Sequence, residues 1–144
     1  VFINVPILKN HSSADVTIGM KNLMGIVWDR GYWHSNDLHQ CIADFASFRK
    51  PDLTVVDAYY VMKKNGPRGV SKNDVITMKS QIISTDIVAA DAAAAKLFGV
   101  DPAKIDHIRK SYALLLYGKS VLIKGFPRIE IRHETFLNNQ FLIY

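Results

Sequence analysis

Apolar and polar positions alternate along this chain in blocks that switch between strand and helix spacing. Phe2 to Leu8 reads as a buried strand, closed by the polar stretch Lys9-Asn10-His11-Ser12-Ser13. Asp15 is placed to cap a short helix reaching about Val27, with Ile18, Leu23 and Ile26 as apolar contacts and Gly19 and Gly25 weakening it. Trp28 to Asn36 reads as a loop. Asn36 or Asp37 then caps a helix to about Phe48, on which Leu38, Cys41, Ile42 and Phe45 fall on one face. Leu53 to Ala58 and Ser80 to Ser84 read as strands, separated by a loop from Lys63 to Asn73 that carries Asn65-Gly66-Pro67 and Gly69. Thr85 is placed to cap an alanine-rich helix to Phe98, with Asp86 favouring its positive end and Gly99 closing it. Asp101-Pro102 opens a further helix ending by Gly118. The tail from Ser120 reads as strands at Val121–Lys124, Arg128–His133 and Gln140–Tyr144.

This order predicts an α/β fold: layered helices on a mixed, partly parallel sheet, with residues 119–144 as a strand-rich tail of the same domain as residues 1–118. The length, 144 residues, fits one domain. Hydrophobic residues at 49% and charged residues at 22% argue against a disordered chain. No apolar run is long enough to suggest a membrane-spanning helix. The opening strand has neither an initiator Met nor a signal-peptide pattern, so the chain reads as a fragment of a larger domain. Localisation is left open: cytoplasmic by default, with export by a signal in an upstream segment as the alternative.

The net charge of +5 favours anionic ligands. The basic residues are scattered, however, and no cluster of five or more argues for nucleic acid. One cysteine, Cys41, precludes an intrachain disulfide and a thiolate-only metal cage, and its place on the apolar helix face reads as an inert core thiol.

Polar groups that follow apolar strands are the candidates for chemistry, because ligands of open α/β sheets sit at the carboxyl ends of strands. Lys9 and His11 follow the first strand. Lys21 and Asn22, flanked by Gly19 and Gly25, lie near a helix start where backbone N–H groups attract anions. Arg30, His34, His39 and Asp44 form a third set, in which His34, His39 and Asp44 are candidate ligands for a divalent metal. Asp57 ends a strand and has Arg68 as a natural partner, unless that arginine holds a substrate carboxylate. Asp91 lies one turn into the alanine-rich helix beside small residues. Each group also has a plain structural reading as a cap, a surface charge or an ion pair.

Read in order, these segments resemble the DUF362 family, a domain of unknown function. The resemblance rests on Ile3-Asn4-Val5-Pro6-Ile7-Leu8-Lys9-Asn10-His11, Gly19-Met20-Lys21-Asn22-Leu23-Met24-Gly25, Arg30 with His34, and Ile42-Ala43-Asp44. It continues through Asp52-Leu53-Thr54-Val55-Val56-Asp57-Ala58, Asn65-Gly66-Pro67-Arg68-Gly69, and Ser84-Thr85-Asp86 with Ala89 and Asp91-Ala92. It covers about residues 2–110 and fades after about residue 118. The resemblance implies an additional N-terminal α/β portion and an association with ferredoxin-like four-iron, four-sulfur modules. With one cysteine this chain cannot hold such a cluster alone, so a cluster would belong to a missing segment or a partner. It further implies, for some bacterial relatives, export by the twin-arginine route. Through a distant relationship to the N-terminal domain of the nickel-pincer lactate racemase, it admits a metal-dependent isomerase or racemase.

The leading expectation is a site that binds a small anionic substrate or cofactor in a redox, iron–sulfur-associated setting. Lys9, Lys21, Asn22 and Arg68 would hold the anion. His11 and His34 would serve as acid, base or metal ligand, and Asp57 and Asp91 would orient them or move protons. A non-catalytic module serving an iron–sulfur protein is the second class, and nucleic-acid binding the weakest. An open sheet edge leaves a homo-oligomer admissible. The decisive expectation is spatial: Lys9, His11, Lys21, Asn22 and Arg68 should converge.

Overall fold

A computed structural model describes residues 1–117 and 142–143. The expected strands at Val121–Lys124 and Arg128–His133 lie outside the described residues. Strands β1 (Ile3–Asn4), β2 (Ile7–His11), β3 (Asp15–Thr17), β4 (Leu53–Met62), β5 (Val75–Ser84) and β6 (Leu142–Ile143) form one mixed sheet. Its order is β3-β2-β4-β5-β6, with β1 also paired to β4. Both β1 and β2 run parallel to β4, and the other pairings are antiparallel. The helices are α1 (Gly19–Asn22), α2 (Arg30–Ser35), α3 (Leu38–Phe48), α4 (Ile87–Phe98) and α5 (Asp106–Tyr117). The α/β class and the partly parallel sheet are therefore as the sequence predicts.

Local departures have identifiable causes. The opening strand is broken at Val5-Pro6, where proline has no N–H for a ladder, and it resumes through His11. Lys9, Asn10 and His11 are thus strand residues and not a loop. Asp15 does not cap a helix: it stands at φ 62° and begins β3, which pairs back onto β2. The predicted loop at Trp28–Asn36 contains α2, whose first turn is capped where the Asp29 carboxylate accepts from Tyr32 N–H. Asp37 caps α3 as expected. The cap of α4 is Asp86 rather than Thr85, because its carboxylate accepts from both Val88 and Ala89 N–H. Gly99 takes the left-handed conformation at φ 90° that ends α4. Both central strands run longer than their apolar cores, to ten residues each.

The core lies between the sheet and α3, α4 and α5, and includes Leu8, Val16, Ile42, Val56, Ile82, Ile105 and Ile108. Alanines at 90, 92, 93, 94 and 95 are buried and let α4 approach closely. Gly19 sits at that contact: a Cβ there would come within 2.7 Å of Asp91 Oδ1 and 3.2 Å of the Thr54 methyl. The short helix α1 is thereby fixed between β4 and α4.

Candidate functional site

The site is assembled at the end of β2, where α1 and the start of α5 meet it. Helix α1 is pinned by groups that are not its own. The buried Asp91 carboxylate accepts from Gly19 N–H at 2.7 Å and Met20 N–H at 3.0 Å, satisfying donors that a helix start leaves free. Burial pushes its pKa up to about 7 against the lowering effect of those two N–H groups. Asn4 donates to the Gly19 carbonyl at 2.9 Å and accepts from the Asn22 amide at 2.8 Å. These contacts fix where the next side chain, Lys21, points its charge.

Lys21 is 8% exposed. Its ammonium donates to the Met24 thioether at 3.0 Å, and among the described residues no carboxylate forms an ion pair with it. Burial, followed by the charge of Lys9, lowers its pKa. His11 lies close enough to feel Lys21, His34 and Lys9. Burial first, then those basic side chains, lower its pKa to about 4. Ser13 N–H donates to His11 Nδ1 at 3.2 Å, which leaves the proton of the neutral ring on Nε2.

Helix α5 adds a residue that the motif reading did not single out. His107 is fully buried, and its pKa is lowered to about 3 by burial, then by His39, Lys21 and His11. Its ring stacks on His39 with Nδ1 atoms 3.1 Å apart, while Nε2 lacks a partner among the described residues. In the sequence His107 lies within the helix opened by Asp101-Pro102, and only folding brings it within electrostatic reach of His11, 96 positions away as the difference of the two numbers. Thr17, directly opposite Lys9 across the β2–β3 ladder, also has a buried hydroxyl without a partner among the described residues.

Thus Lys21, His34 and Lys9 come within electrostatic reach of His11, and Lys9 of Lys21, whereas Asn22 and Arg68 of the expected set are not shown to join them. The remaining candidates take other positions. Asn22 is exposed and spends its amide on Asn4. Asp91 is sealed beneath α1 as its remote cap. Asp57 is half-buried and accepts from Tyr59 N–H at 2.9 Å, and it does not pair with Arg68. Arg68 is exposed on a loop that docks onto β2, since Gly66 N–H donates to Asn10 Oδ1 at 2.9 Å. Asp44 is exposed and accepts from Gln40, while His39 faces His107. His34, His39 and Asp44 are therefore not gathered, and no group of three or more His, Cys, Asp or Glu suited to a metal occurs among the described residues. Cys41 is half-buried against the core.

The sequence model of DUF362, a domain of unknown function, matches residues 1–96. The chain belongs to the DUF362 family. Within the DUF362 match lie Lys9, His11, Lys21 and His34, whereas His107 falls beyond it. A relative described as a thylakoid-associated protein, sll1697, from Synechocystis sp. is 30% identical over 113 residues. That alignment covers 73% of this chain and 34% of the relative, so the chain spans about a third of the relative's length. No solved structure matches. Among the described residues no helix is long and apolar enough to cross a membrane.

Proposed function

We propose that this DUF362 domain binds a small anion at the end of β2, with Lys21, Lys9 and His11 as its principal contacts. The observation that carries the reading is Lys21: a lysine only 8% exposed, resting on a thioether, with Lys9 and His11 within electrostatic reach of it. A buried ammonium costs several kcal/mol to desolvate, on the order of the whole stability of a small domain, unless a counter-charge offsets it. A bound phosphate or carboxylate would supply that charge. Sulfur is a weak acceptor, so the present Lys21–Met24 contact is easily exchanged for a charged oxygen. His11 would donate through Nε2, and Arg68 sits on a loop anchored two residues away at Gly66 on the neighbouring Asn10.

The redox setting rests on the family resemblance, and any iron–sulfur cluster would be held by a partner or another segment, given the single cysteine. The test is calorimetric titration with inorganic phosphate and small carboxylates. Binding that disappears in Lys21→Met, while the variant stays folded, supports the site. Equal binding in wild type and Lys21→Met would overturn it.

A further inference from the structure

The orphaned nitrogen of His107 gives the proposed anion site a chemical preference. His107 backbone N–H lies 3.3 Å from His39 Nδ1 and points at it as a donor. His39 Nδ1 is therefore an acceptor, and the His107 Nδ1 atom 3.1 Å away must be the one that carries a proton toward it. A neutral imidazole has one N–H, so His107 Nε2 is left as a bare lone pair. That atom is buried and without a donor among the described residues. A buried acceptor without a donor is costly. One turn further along α5, Ser111 Oγ lies 3.1 Å from Met20 Sδ, so α5 packs on α1 beside Lys21, and the His107 ring feels the charges of Lys21 and His11. The bare nitrogen there marks a position where a donor is expected.

The site thus presents opposite demands. Lys21, Lys9 and His11 Nε2 offer positive charge and N–H, while His107 Nε2 asks for a hydrogen. We infer that the site is built for a protonated phosphate group, whose charged oxygens meet Lys21 and His11 and whose remaining O–H donates to His107 Nε2. This rests on the anion-binding reading above and adds the class of ligand. His39 acts as a positioning residue: it fixes the tautomer of His107 from the half-buried side and does not touch the anion.

Sulfate is the discriminating probe, because it matches hydrogen phosphate in shape and charge at mildly alkaline pH but has no O–H. Titration of the whole chain with inorganic phosphate and with sulfate should show phosphate tighter by at least about tenfold, the value of one well-made hydrogen bond. His107→Phe should bring the two affinities together by weakening phosphate alone. His39→Leu, at a half-buried position that folding tolerates better, should also bring the affinities together, here by strengthening sulfate, because His107 can then place its proton on Nε2 and serve sulfate equally well. Equal affinities in the wild-type protein, or a preference unchanged in His39→Leu, would overturn the inference while leaving anion binding intact. No binding of either ion would overturn both.

Discussion

Two polar clusters lie on either side of Asn10, and they are built to opposite standards. In the loop from Asn65 to Asp74 the buried charge is fully partnered. The buried Asp74 carboxylate accepts from Asn65 Nδ2 at 2.8 Å, Val70 N–H at 2.7 Å and Ser71 N–H at 2.9 Å. Those backbone donors hold its pKa below the usual carboxylate range. Around Lys21 the reverse holds: a buried cation rests on sulfur, and the His107 ring nitrogen and the hydroxyls of Thr17 and Thr54 have no partner among the described residues. The lysines repeat the contrast. Lys63 also has its pKa lowered by burial, but it donates to the Phe98 carbonyl at the end of α4 and sits 3.7 Å over the Phe98 ring. A satisfied cluster makes a rigid support, whereas an unsatisfied one held by rigid neighbours is where a ligand gains the most.

The contrast can be broken most severely from beneath. Asp91→Ala removes the acceptor of two buried N–H groups and leaves a void, so it should cost about 3 kcal/mol or more, read by urea denaturation, and abolish anion binding with it. Gly66→Ala comes next. Its Cβ would stand 1.8 Å from the Asn10 carbonyl oxygen, so the loop must move, at about 2 kcal/mol, and Arg68 moves with it. Anion affinity should fall less than in Lys21→Met if Arg68 contributes only from the rim.

Lys21→Met sharpens the comparison because its expected sign is reversed. Replacing an unpaired buried cation by an apolar side chain of similar volume should stabilise the ligand-free protein, by about 1 kcal/mol in the same denaturation assay. Lys63→Met, by contrast, removes a made hydrogen bond and should destabilise. If both substitutions destabilise equally, the distinction between the two clusters fails.

A further effect is one of pH. His11 and His107 have folded pKa values near 4 and 3 against an unfolded value near 6.5. Below pH 6.5 the unfolded chain takes up protons that the folded chain refuses. Their contribution is thus complete above that pH and is lost as the pH falls toward 4 and then 3. Asp91, raised to about 7, works in the other direction, losing its contribution as the pH rises through that value. Thermal melting across this range should show an acid limb that flattens in His11→Asn, and bound phosphate should shift the whole curve upward.

Much of the fold was legible because it rests on local physics. The apolar period placed α3, α4 and the cores of β4 and β5, and Asp37 starts α3 and Gly99 ends α4 for reasons contained within a few residues. The errors came where distant pairing overrode local preference. The β2–β3 ladder turned Lys9–His11 into strand and made Asp15 a strand start, although its side chain suits a cap. Asp91 was conspicuous as a carboxylate among alanines, yet its purpose, capping a helix 71 and 72 positions away, depends on how closely α4 meets α1.

The sequence by itself determined the class of the fold, the basic character of the strand end and the membership of Lys9, His11, Lys21 and His34 in one ordered set of motifs. Those follow from period, charge and spacing, which are properties of neighbours along the chain. Only the tertiary structure decided which charges are paired and which are not. It buried Lys21 without a carboxylate, spent Asn22 on Asn4 and kept Asp57 and Arg68 apart. It also buried His107 with its Nε2 unpartnered among the described residues and within electrostatic reach of Lys21 and His11. Burial and hydrogen bonding belong to pairs of residues in space, and a sequence states the members of such pairs without stating the pairs.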